Sequence, residues 1–188
     1  MLTREQFLPH EMRIVAALRM QGASDEQVIV RVKSENLFQY PTERMVANRA
    51  TVCLRRLDAM VPTDAACAAR GIDPKTAVEA ASSLTRLMAS GTPTQADQAI
   101  FYSMICRYDI VRELVLVEVG ERLQNFDYAF TAVDLNAFMT RFTTEYPDAA
   151  RWTEATVKRI KGSLRQTLRH AGLIGEGLGP ESERLSPL

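Results

Sequence analysis

Few of the side chains that carry out catalysis occur in this chain, and those present are scattered. His10 and His170 are the only histidines in the 188 residues, and neither has a neighbour in sequence that would make it a base or a ligand. Glu118 and Glu121 share a helical face at i,i+3, with Glu113 off that face. A metal centre there would need histidines or further acids. Cys53, Cys67 and Cys106 are odd in number, far apart and form no C-x-x-C, so they read as small buried hydrophobes in a reducing compartment. The chain has no phosphate-cradling glycine loop, no G-x-S-x-G and no H-E-x-x-H. Acid–base pairs distant in sequence stay open. The expectation is a non-enzymatic protein that uses no metal and no cofactor.

What the sequence does concentrate is positive charge near one end. The chain holds 23 basic and 23 acidic residues, so its net charge is zero. Between Arg151 and Ile174, however, lie Arg151, Lys158, Arg159, Lys161, Arg165 and Arg169, against Glu154 as the one acid. At ~100° per residue on a helix, Lys158, Lys161, Arg165 and Arg169 fall within about 80° of one another, with Arg159 at the margin. Val157, Ile160, Leu164, Leu168 and Ala171 make a separate stripe centred about 100° away. One face can bury while the next presents cations, which is the division a nucleic-acid-binding helix needs. Gln166 and Thr167 are further candidates for polar contacts. The competing reading is an ordinary solvated basic face.

The elements that would position this stripe are almost all helical, because alternating patterns are nearly absent. Pro9 opens a helix that Gly22 stops, and Ser24 with Gln27 forms a capping box for the next. Thr42 caps a helix to about Met60, and Asp73-Pro74 opens another that ends at Ser90-Gly91. A further helix runs from Thr94 to about Tyr108. The apolar run Ile110–Leu123 is expected to be a central helix, followed by an aromatic connection, Phe126–Phe130. Thr131, with Asp134 in the first turn, caps a helix that Tyr146-Pro147 breaks, and Thr153 caps the last long helix, to about His170.

A helix, a turn, a basic helix and a Gly-rich segment resemble a winged helix-turn-helix. The fold class is therefore all-α: a multi-helix bundle of two packed helical subdomains with a C-terminal winged-helix-like helix-turn-helix. Residues 1–108 would form the first subdomain, with a possible helix-turn-helix at 10–36. Residues 109–174 would form the second, with its basic helix at 153–170, and residues 175–188 a tail or short wing whose one cation is Arg184. Secondary candidates for nucleic-acid contact are Arg44, Arg49, Arg55 and Arg56. Their competing reading is ion pairing with Glu43, Asp58 or neighbouring helices.

No stretch approaches the ~18–20 apolar residues of a membrane span, and the N-terminus lacks the apolar core of a signal peptide. A cytoplasmic location without membrane contact is expected.

Asn36-Leu37-Phe38, Arg55-Arg56-Leu57 and Trp152-Thr153-x2-Thr156-Val157-Lys158-Arg159 resemble the BrxA family of bacterial BREX phage-exclusion systems. So do Leu164, Leu168 and Ala171-Gly172-Leu173-Ile174, and the resemblance spans about residues 8–175. It implies a cytoplasmic, non-enzymatic helical component of an antiphage system, whose relatives are described as DNA-binding and as similar to the RNA-binding antitermination protein NusB. The family offers no catalytic residues to carry over. Double-stranded DNA is the expected partner, bound largely without sequence specificity. A protein–protein scaffold of the defence complex and an RNA-binding role are the alternatives.

Overall fold

The computed structural model describes residues 6–179 and 182–186. The chain divides into two compact units, Leu8–Arg107 and, with the segment ending at Phe7, Tyr108 onward. Among the described residues no helix is long and apolar enough to cross a membrane.

The first unit is helical throughout: α1 (Pro9–Met20), α2 (Asp25–Ser34), α3 (Glu43–Ala59), α4 (Asp64–Arg70), α5 (Pro74–Ser90) and α6 (Pro93–Arg107). Local chemistry sets the boundaries. Pro9 pre-sets the first turn of α1, and Gly22, at φ +85°, ends it in the left-handed region that glycine enters without cost. Ser24 Oγ accepts from the Gln27 amide at 3.3 Å while Gln27 Oε1 accepts from the Ser24 amide at 2.9 Å, closing the capping box. Thr42, Thr63 and Asp73 cap α3, α4 and α5 without the reciprocal bond, each side chain accepting from the amide three residues on.

α1 packs on α3, α5 and α6. It buries Met12, Val15 and Ala16, while those three helices bury Val46, Ala50, Cys53, Met88, Ile100 and Met104, and each large side chain so buried contributes about 1.5–3 kcal/mol. Arg13 Nη2 donates to the Gly91 carbonyl at 3.0 Å, pinning α1 to the end of α5. A Cβ at Gly91 would stand 2.5 Å from the Leu87 carbonyl oxygen, so the chain can pass there only as glycine.

Two charged residues lie inside this unit. Arg56 is wholly buried, and Glu11 is 7% exposed. Glu11 is served by the Tyr40 hydroxyl, which donates to its Oε1 from the link between α2 and α3. Burial, this hydrogen bond and the Glu11 charge push the Tyr40 phenol up to about 12, with Arg49 pulling the other way.

The second unit begins with one continuous helical run. α7 (Asp109–Glu113) passes into a π-helical turn (Leu114–Val119) and then α8 (Gly120–Gln124). The apolar run Ile110–Leu123 predicts a central helix here. Leu114 and Val119 are indeed buried, but Leu116 is 63% exposed, so the run packs along one side only. Then follow β1 (Ala129–Thr131), α9 (Ala132–Glu145), a 3-10 turn (Ala149–Arg151), α10 (Glu154–His170), β2 (Ile174–Gly179) and β3 (Ser182–Leu185). The sheet is antiparallel with order β1-β3-β2. Ala129 pairs with Arg184, and Ile174 with Leu185. The core joins Ile110, Val111 and Leu114 to Phe130, Phe138, Met139, Ile160, Leu164 and Leu168. Phe7 lies flat on the His170 ring, centroids 4.8 Å apart, at the end of α10.

A single guanidinium organises the middle of this unit. Arg122 Nη2 donates to Asp134 Oδ1 at 2.7 Å, and Nη1 donates to Asp127 Oδ2 at 2.5 Å and to the Ala129 carbonyl at 2.9 Å. Asp134 Oδ2 in turn accepts from the Thr131 amide at 2.7 Å and the Thr131 hydroxyl at 2.6 Å, closing the capping box of α9. Burial lifts the Asp134 carboxyl, but the Thr131 donors and Arg122 outweigh it and hold the group below its usual value.

Two outcomes follow. Tyr40→Phe leaves Glu11 buried without its donor and is expected to cost about 1–3 kcal/mol in denaturant unfolding. Because the folded phenol titrates above its ordinary value of 10.0, its contribution should be intact below that pH and lost as pH rises toward about 12. The tyrosinate ultraviolet difference spectrum reads this against the variant. Arg122→Ala should cost about 2 kcal/mol through lost charged hydrogen bonds. Asp134 stabilises the fold above its ordinary pKa of 3.8 and ceases to as pH falls through its lowered value. The acid unfolding midpoint should therefore move to higher pH in the variant, as read by circular dichroism.

Candidate nucleic-acid interface

α10 starts from a Thr153 cap, whose Oγ1 accepts from the Thr156 amide at 3.3 Å. It ends where Gly172, at φ +75°, turns the chain into β2. Ile160, Leu164, Thr167 and Leu168 form its buried face. The stripe of small and aliphatic residues thus holds the helix against its own unit.

The cations lie to one side of that face. Lys158, Arg159 and Arg169 are exposed, whereas Lys161 and Arg165, nearer the buried stripe, are half-buried. Lys161 Nζ donates to Asn136 Oδ1 on α9 at 2.7 Å, which holds this ammonium in place between the two helices. Lys158 and Arg159 make no ion pair or hydrogen bond among the described residues. Glu154, in the first turn, is α10's one acid. Gln166 faces solvent, but Thr167 is 1% exposed, so it is part of the core and not a contact residue.

Gly162 sits in the middle of the exposed side of α10, and a Cβ there would meet nothing within 4 Å. A mid-helix glycine costs about 1 kcal/mol relative to alanine. No contact among the described residues requires it.

The β2–β3 hairpin follows α10 directly, with Arg184 exposed on β3. The strand β1, which holds β3 at its other edge, went unrecognised in sequence. Ala129-Phe130-Thr131 is too short to show an alternating pattern, and its partner lies at the far end of the unit.

The secondary arginines separate. Arg56 is wholly buried, so as a candidate contact it is corrected: a guanidinium without exposed surface cannot reach a phosphate. Arg49 is half-buried and acts on Tyr40. Arg44 and Arg55 are exposed. Their expected acidic partners are engaged elsewhere, since Glu43 pairs with Lys33 at 3.2 Å and Asp58 with Arg19 at 3.2 Å. In the possible N-terminal helix-turn-helix, α1 and α2 form as helices, but Arg31 pairs with Glu35 at 3.3 Å and Lys33 with Glu43.

The carboxylates of the α7–α8 run do not converge on a ligand. Glu118 Oε1 pairs with Arg141 Nη1 at 2.6 Å, and Glu113 accepts from the Tyr146 hydroxyl. Among the described residues, no group of three or more histidines, cysteines, aspartates or glutamates is placed to hold a metal ion.

A crystal structure of an uncharacterized protein from Magnetospirillum magneticum is similar over 97% of this chain and 82% of its own, with a TM-score of 0.71 at 16% identity. At that identity the likeness speaks for the fold alone. No curated protein matches the chain significantly. The BrxA family model matches residues 1–188, the whole length. The chain therefore belongs to the BrxA family, which is not a known enzyme family and whose membership implies a component of a BREX phage-defence system.

Proposed function

We propose that this protein is a DNA-binding accessory component of its defence system and grips duplex DNA through α10. The observation that carries the reading is the order of elements in the second unit: a helical run, β1, α9, a turn, α10, then a β2–β3 hairpin whose β3 lies between β1 and β2. That is the order of a winged helix-turn-helix, in which the second helix of the pair enters the major groove and the hairpin lies along the backbone. Here the second helix is the one whose exposed side carries Lys158, Arg159 and Arg169, with Lys161 and Arg165 at its edge.

Duplex DNA suits this arrangement better than duplex RNA. The major groove of B-DNA admits an α-helix, whereas that of A-form RNA is too narrow for side chains to read. Four or five cations aimed at phosphates give a salt-dependent, largely sequence-independent grip, with a slope of log K against log salt of about −4. Gly162 acquires a role in this reading. The bare backbone in the middle of the cationic side lets the sugar–phosphate chain approach α10 closely, which offsets what the glycine costs the helix.

The test is a fluorescence-anisotropy titration with duplex DNA at several salt concentrations. Lys158→Glu with Arg159→Glu should leave the melting temperature unchanged, since neither side chain makes an ion pair or hydrogen bond among the described residues, and lower the salt slope by about 2. Unchanged affinity and slope would show that this helix is not the interface. Gly162→Ala should raise stability by about 1 kcal/mol and weaken DNA binding several-fold. A stabilised variant that binds as the parent does would remove the close approach at this position.

A further inference from the structure

Between α1, α3 and α5 of the first unit lies a cavity of about 210 Å³. Leu57 and Ala81, 6% and 5% exposed, form its floor. Met20, Val61 and Val78 form its rim and stay 42%, 42% and 49% exposed. Two helices and the turn that follows α3 thus bring exposed apolar side chains to one opening, which is what an unfilled contact surface looks like. Small-molecule sites measure about 300–1,000 Å³, so this volume is too small for a typical metabolite. It suits the insertion of a side chain, as when an anchor residue of a protein partner fills a pocket.

The charge at the mouth selects the partner's chemistry. Arg19 lines the cavity and is shared by two carboxylates, in ion contact with Asp25 and 3.2 Å from Asp58. One guanidinium against two acids leaves a surplus negative charge. Asp58 also stands in the last turn of α3, where the helix dipole already disfavours an acid. Burial and the Asp25 charge both raise its carboxyl, with Arg19 pulling against them. Arg19, which lines the cavity with Asp58, is thus outnumbered by the two carboxylates it contacts, Asp25 standing just outside the lining.

We propose that this cavity docks a segment of a partner protein that inserts one apolar side chain between Met20, Val61 and Val78 and sets a lysine or arginine beside Asp25 and Asp58. The inference is independent of nucleic-acid binding, since every residue it uses lies in the first unit.

A random-peptide display library selected on the full chain tests it, with the Val78→Lys variant as counter-target. Val78 is half exposed, so the lysine alters the surface and not the core. The enriched peptides should share an apolar residue with a lysine or arginine within one helical turn, and should perturb the methyl NMR signals of Met20, Val61 and Val78. Their affinity should fall at least about tenfold on Val78→Lys. It should fall about two- to fivefold per exposed ion pair lost in Asp25→Asn with Asp58→Asn. A circular dichroism melt verifies that each variant is folded. Acidic or uncharged peptides, equal binding to Val78→Lys, or no enrichment at all would overturn the proposal. So would methyl shifts that grow with protein concentration alone, because the occupant would then be a second copy of the chain.

Discussion

The second unit depends on what the Arg122 guanidinium holds together. It reaches from α8 to the Asp127 turn, to the carbonyl of Ala129 at the start of β1, and to Asp134 in the first turn of α9. Asp134 spends its other oxygen on Thr131, the residue that is at once the last of β1 and the cap of α9. Strand direction and helix direction are thus set by one ion-paired cluster, charge-assisted and partly sheltered from water. Once β1 has its place, β3 has an edge to pair with, and β2 follows on the other side.

α10 inherits its setting from that arrangement. Ile160, Leu164 and Leu168 are buried, while the β2–β3 hairpin begins just beyond its C-terminal turn. With one side committed to the core, the cations have no choice but the flank and the outer side. Lys161 is tied to Asn136 on α9, so part of the charge is held in position by the fold.

The first unit handles its charges differently. Arg56 and Glu11 lie inside it, and Glu11 has the Tyr40 hydroxyl. Buried charges are tolerable only when partnered, so these residues constrain how the helices pack. At the surface, Arg19, Asp25 and Asp58 form an unbalanced trio beside an apolar opening. A net charge of zero conceals both this acidic mouth and the basic flank of α10.

Much of the fold was legible in the sequence because helix formation is local. Ser24 with Gln27, Thr42, Asp73, Thr131 and Thr153 each mark a helix start through hydrogen bonds to residues within one turn, Pro9 marks one through its fixed φ, and Gly22 and Gly172 mark ends through their own backbone freedom. The stripe of Lys158, Lys161, Arg165 and Arg169 was visible for the same reason, since side chains three and four apart share a face on any helix. Tertiary structure alone decided the rest. Whether the glycine-rich end pairs as β2 and β3 depended on β1, a partner distant in sequence. Arg56 looked like its exposed neighbour Arg55 until packing buried it, and Thr167 looked like a contact residue until α10 was set against the core. Leu116 is exposed although its run is apolar, because that run packs along one side only. Caps and periodicity are written into neighbouring residues; strand pairing and burial arise only when distant parts of the chain meet.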